Sequence, residues 1–240
     1  MTKKLIMILG LVLSSMLMKA QAFFVPFPKA GDKYWQKQVP VAMRNDYIRL
    51  GNLYQKKPWW GIPAHYPKDH PEKDIQPVDL FNAETAGMLA WTLYMLEDEI
   101  NRKEKGLCNQ VRSEIERRFL KPVLNQPQGW KNNANNWNTW ITANWLQTVL
   151  ICEQDAKQRD AAFKGVQQCL RTFMKGYPDD GGCEEGVSYW DCAGASFFES
   201  LYFMQFAPKQ AVLTLNEAQK KRWRTWVGSS LRCISTTLPS

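Results

Sequence analysis

The chain has no Cys-x-x-Cys pair and only two histidines, His65 and His70, both remote in sequence from every cysteine. A structural zinc site needs clustered thiolate and imidazole ligands, so neither a metal nor another cofactor is expected. No block of like charges marks a nucleic-acid-binding arm. No segment sustains the period-two alternation of a half-buried strand. The apolar run 5–18 is shorter than the ~20 residues a membrane-spanning helix needs, so no stable membrane anchor is expected.

That run has another meaning. Lys3 and Lys4 precede it and Ala20-Gln21-Ala22 follows it. A basic start, a short apolar stretch and a small-residue cleavage pattern make residues 1–22 a signal peptide. The mature chain is expected to begin near Phe23 and to be exported, periplasmic or extracellular. An oxidising compartment permits disulfides, and Cys183 and Cys192 flank half of one loop and could pair across it. The formal charge is +8, and Lys3, Lys4 and Lys19 of the leader supply three of it. The remaining excess is modest and suits an acidic partner such as a polysaccharide.

Residues 23–79 read as an irregular lead-in. Prolines there recur too often for long helices, although one short helix fits near 42–54. From Leu80 the pattern turns helical. Helices are expected over 80–103, 107–124, 140–152, 160–174, 193–206 and 215–234. Asp79 or Asn82 could cap the first, and Pro122 is expected to kink or fray the second. The helices pair as hairpins of one apolar and one mixed member, and a helix apolar all round is buried. This predicts an all-α domain over 80–240, an incomplete (α/α) toroid whose hairpins repeat every ~55 residues. Inner helices then run the same way, and the loops 57–79, 126–139 and 176–192 gather at one end. Those are the long, aromatic, polar loops, where function is usually built.

The second loop holds Asn132, Asn133, Asn135, Asn136 and Asn138. Amides shape turns and cap helices; they can equally hold a carboxylate and stabilise the enolate formed when the adjacent proton leaves. The third loop, from Tyr177 to Trp190, carries Asp179, Asp180, Glu184 and Glu185, three glycines and Tyr189. A phenol can take and return a proton. Glu184 and Glu185 could act as acid or base, or simply favour the next helix N-terminus. Trp59, Trp60, Trp130, Trp137, Trp140 and Trp190 lie in or beside the long loops; indole faces stack on sugar rings and also close core ends. His65 sits in the first of these loops, and a loop histidine can be solvated or can serve a site.

The run Asn135-Asn136-Trp137-Asn138-Thr139-Trp140-Ile141, followed by Tyr177-Pro178-Asp179-Asp180-Gly181-Gly182-Cys183-Glu184-Glu185-Gly186-Val187-Ser188-Tyr189-Trp190, resembles the heparinase II/III-like polysaccharide lyases. The resemblance is specific over 130–206 and weaker over 23–125. It implies an N-terminal incomplete α/α toroid and a C-terminal β-sandwich, which this sequence lacks. It implies β-elimination on a uronate-containing, glycosaminoglycan-like polymer. Asn135 or Asn136 would neutralise the uronate carboxylate, Tyr189 would act as base or acid, and Glu184 or Glu185 would support them. Asn138, Trp137, Trp140, Trp190, Trp59, Trp60 and His65 would line the substrate path. Where such lyases often carry a histidine beside the asparagine motif, this chain has Trp137 or Asn138. A toroid of about twelve helices takes on the order of 300 residues, so the six helices read here form its front part, and this truncated chain alone is expected to be inactive. A toroidal glycoside hydrolase using Glu184 or Glu185, or an inactive carbohydrate-binding fragment, are the competing expectations.

Overall fold

α1 (Leu80–Lys103) begins where two short polar side chains satisfy its first orphan N–H groups. Asp79 accepts from the Asn82 backbone N–H at 2.9 Å, and the Asn82 side chain accepts from the Asp79 N–H at 3.3 Å, a reciprocal capping box. Both expected cap residues are therefore used. The computed structural model from which this geometry is taken describes residues 60–62, 65, 77–183 and 186–226. The expected signal peptide 1–22, the expected helix near 42–54, Trp59, His70, Glu184, Glu185 and Cys233 lie outside the described residues.

Gly106, with φ +87°, turns the chain out of α1 and N-caps α2 (Leu107–Ile115); a side chain there would be strained. A π-helical turn, Glu116–Leu120, joins α2 to α3 (Lys121–Asn125) without a break. Pro122 was expected to kink or fray this helix, but it sits at the start of α3 and the helix runs on to Asn125. Proline collides with the carbonyl four residues back. The wider π turn lies at that point and absorbs the misfit.

A 3-10 turn, Gly129–Asn132, leads to α4 (Asn136–Cys152). This helix begins a turn before the apolar pattern suggests. Asn138 is fully buried, and its Nδ2 donates to the Trp130 and Lys131 carbonyls at 3.3 and 3.2 Å, so the loop's carbonyls are satisfied from inside the helix. Farther along, Asn144, Gln147 and Thr148 bond back to carbonyls four residues earlier, which lets polar side chains sit in the interior. α5 (Ala156–Gly176) returns the chain, its start fixed by Asp155 accepting from the Gln158 N–H at 2.9 Å. α6 (Val187–Trp190), a second π turn (Asp191–Ala195) and α7 (Ser196–Met204) follow as one run. Residues 217–226 form the helix α8. Among the described residues there is no strand, and no helix is long and apolar enough to cross a membrane.

α1, α4 and the α6–α7 run lie side by side, parallel and in register. Glu84 accepts from Trp140 Nε1 at 3.0 Å, and Trp91 Nε1 donates to Gln147 Oε1 at 2.8 Å; each pair is 56 residues apart. The Trp91 ring also meets Phe203 at 6.0 Å, so residues 91, 147 and 203 share one level. Near the start, Thr139 Oγ1 donates to the Ala193 carbonyl at 2.8 Å. α2 packs on α1 and α5 on α4, and one continuous core includes Phe119, Trp145, Phe173, Phe197 and Trp226. Each fully buried aromatic of this kind is worth roughly 1.5–3 kcal/mol.

Candidate functional site

Asp79 does more than cap α1. Its Oδ2 accepts from the Ile62 backbone N–H at 2.8 Å and from His65 Nδ1 at 2.8 Å, while its Oδ1 serves Asn82. The carboxylate is 2 % exposed and the imidazole 36 %. Two backbone donors fix the plane of the carboxylate, and the carboxylate fixes the ring. A carboxylate only accepts, so Nδ1 carries a proton. His65 Nε2 has no hydrogen-bond partner among the described residues. Trp137 braces the ring edge-on, with centroids 5.3 Å apart and planes at 61°.

His65 and Trp137 stand in the wall of a cleft of about 410 Å³, completed by Val78, Asp79, Gln128, Trp130, Asn133 and Asn135, among others. Gln128 ties its sides together: its Oε1 accepts from the Val78 N–H at 3.0 Å and its Nε2 donates to the Pro122 carbonyl at 3.3 Å. Asn135 occupies the N-cap position of α4 but makes no capping bond through its side chain, and its amide is exposed. Among the described residues no lysine or arginine lines the cleft, and its one carboxylate is the engaged Asp79.

Lys131, which follows Trp130 in the chain, is not part of the cleft wall. Lys131 donates to the Val123 carbonyl and lies over the Trp130 and Trp145 rings at 5.9 and 5.2 Å. Burial holds its ammonium below the usual lysine range.

The first and second loops thus meet at one end, as the parallel inner helices require. The third joins them: Ala134 lies so close to Gly176 that a Cβ there would come within 2.5 Å of it. Thr139 and Ala193, one turn into α4 and one turn past Tyr189, are hydrogen-bonded, so Asn135 and Tyr189 lie at the same end. Tyr189 is 45 % exposed and is not part of the cleft wall. The acid-bearing bend is braced from outside. Arg222 donates to the Met174 and Tyr177 carbonyls and pairs with Asp179. Trp226 Nε1 donates to the Pro178 carbonyl at 2.8 Å. Gly181, at φ +76°, has no room for a Cβ against Trp226.

The remaining candidates occupy other surroundings. Asn136 and Asn138 are buried. Trp60 is buried beneath the Arg118 guanidinium, 5.4 Å from its ring centre. Trp140 reaches Glu84, and Trp190 Nε1 donates to the Gly181 carbonyl at 3.2 Å while its ring covers Gly194. Cys183 carries a free thiol, so the bridge to Cys192 is not formed. Asp79, whose carboxylate holds His65, was read from the sequence only as a cap. Its spacing from His65 carries no motif, although an aspartate at a helix start near one of two histidines was the available signal. Among the described residues no cluster of acidic, histidine and cysteine side chains could hold a metal. Compared with known proteins, the chain matches no family model and no curated sequence.

Proposed function

We propose that this chain carries part of the α/α toroid of an exported polysaccharide lyase that cleaves a uronic-acid polymer by β-elimination, its hairpins forming an arc of that toroid. The observation that carries the reading is the cleft itself. An indole, two exposed amides and an imidazole line a volume within the ~300–1,000 Å³ of small-ligand sites. Such a wall offers a stacking face for a sugar ring and hydrogen-bond donors for its carboxylate. The cleft lies where the inner helices begin, so their positive dipole ends favour an anionic ligand. The register of 56 residues between successive inner helices supports the repeating hairpin.

The glycoside-hydrolase alternative needs two carboxylates flanking the scissile bond. The one carboxylate of the described cleft wall is committed to three donors, so Asp79 does not serve as a hydrolytic acid or base, while Glu184 and Glu185, the alternative's own candidates, lie outside the described residues. The test is to incubate the full chain with alginate, polygalacturonate and glycosaminoglycans and to follow ultraviolet absorbance. The sequence alone led to the expectation of an inactive chain, but the cleft is built within the described residues, and an unsaturated product is expected from at least one polymer. New reducing ends without absorbance would select the hydrolase, and binding without turnover the inactive carbohydrate-binding module.

A further inference from the structure

We propose that His65 is the proton acceptor of this cleft, with Asp79 as its positioning residue. The inference rests on the elimination reading and adds to it a base that lies in the lead-in, outside the asparagine and tyrosine loops.

The argument begins with the tautomer. Asp79 is buried, and both its oxygens are held by backbone N–H groups of Ile62 and Asn82. The carboxylate cannot turn without losing one of them. Its third partner is His65 Nδ1 at 2.8 Å, which must therefore donate. In the neutral ring Nε2 is then a bare lone pair on the far side from Asp79. The ring is a third exposed, in the cleft wall, so that lone pair is open to a ligand. Rotation of the ring is resisted by the Nδ1 bond and by the edge of Trp137. A base with a fixed lone pair and an anionic partner behind it is the arrangement that stabilises an imidazolium once the proton arrives.

The surroundings supply the other half. Asn133 and Asn135 stand in the same wall, with Asn135 free of capping duty. Amide N–H groups on the uronate carboxylate stabilise the enolate that develops when the adjacent carbon loses its proton. The step balances as follows. The C5–H bond breaks and Nε2 gains the proton. The electron pair becomes the C4=C5 double bond as the C4–O4 bond breaks, and the departing O4 takes a proton from solvent. Trp137 has two uses, since it limits the imidazole and offers its own surface to the sugar.

Nitrogen-15 spectra of the full chain give a readout independent of turnover. With two histidines in the sequence, a His70→Gln variant assigns both. Neutral His65 is expected as the Nδ1–H tautomer, and an Nε2–H tautomer would overturn the proposal. Oligosaccharides of alginate, polygalacturonate, hyaluronan and chondroitin are then titrated in. At least one is expected to move the His65 Nε2 resonance and leave that of His70 in place; if none does, the proposal falls. His65→Asn keeps a donor at the Nδ1 position for Asp79 but has no Nε2. It is expected to melt with the wild-type midpoint and to lose at least ~100-fold in kcat, with KM within a few fold. If His65→Asn keeps the wild-type rate of unsaturated product, this inference fails and the lyase reading survives. If the wild type binds an oligosaccharide through His65 without unsaturated product, the lyase reading fails and takes the base with it.

Discussion

Asp79 starts α1 with one carboxylate oxygen and holds His65, 14 residues earlier, with the other: Oδ1 receives the Asn82 N–H at 2.9 Å and Oδ2 receives Nδ1 at 2.8 Å. Stability and site geometry are therefore joined in one buried side chain. Losing a helix cap costs about 1 kcal/mol, and each buried donor left unpaired adds about 1–3 kcal/mol. Asp79→Ala is expected to lose roughly 2–4 kcal/mol. Asp79→Asn, which can still cap, is expected to lose less. Urea unfolding checks this: the midpoint should fall in that order with the slope unchanged.

Thr139 ties the start of α4 to the π turn after Tyr189 through its bond to the Ala193 carbonyl. Thr139→Val keeps the shape and removes the donor. Its expected cost is about 0.5–1.5 kcal/mol, the net worth of one buried hydrogen bond, since the Ala193 carbonyl keeps the Ser196 N–H. Amide hydrogen exchange should quicken over 187–195 more than over α1.

Gly165 in α5 faces the Trp145 ring, and an added Cβ would lie 2.4 Å from it. Alanine gains up to about 1 kcal/mol of helix propensity, but overpacking costs typically 1–3 kcal/mol. Gly165→Ala is therefore expected to lower the thermal midpoint. Gly129→Ala, with nothing within 4 Å of the new Cβ, should leave it within a degree or so.

At the other end of the bundle Arg112 holds Glu97 with two hydrogen bonds of 2.8 Å. Hydrogen bonding from that guanidinium, then its charge, keep the Glu97 carboxyl below the usual range against the pull of burial. A depressed acid contributes stability that is present above its unfolded pKa and lost as pH falls through the folded one. The gap in stability between wild type and Arg112→Gln should thus be full at neutral pH and close below about pH 4. Chemical unfolding at a series of pH values reads it, and a gap that widens in acid would contradict the assignment.

Burial pushes the thiol of Cys152 up to about 12 and that of Cys169 up to about 11. Neither should alkylate in the folded protein at neutral pH, because the thiolate is the nucleophile. Cys183, half-buried on the acidic bend, should label before Cys152 and Cys169, which react only after denaturation, as mass spectrometry would read.

Much of the helical layout was legible because burial leaves a periodic trace. Leu89, Leu93, Leu96 and Ile100 are spaced for one face of a helix, and all four are in the core. The starts of α4 and of the α6–α7 run were less legible. Asn136 and Asn138 look like loop residues until the Trp130 and Lys131 carbonyls are brought against Asn138, and the π turn 191–195 has no sequence period of its own. Among the site residues, Asn135 and Trp137 stood out by composition and lie in the cleft. Trp60, equally prominent, is enclosed by packing under Arg118.

The sequence by itself determined that this region is helical, because burial leaves a period of 3.6 residues, and it led to the expectation that the long polar loops share an end. Only the tertiary structure decided which residues meet there. Ile62, His65 and Asp79 form one unit because a buried carboxylate needs several donors, and the backbone and imidazole of the lead-in supply two of them. Partners of that kind are chosen by distance in space, which no local pattern in the chain records.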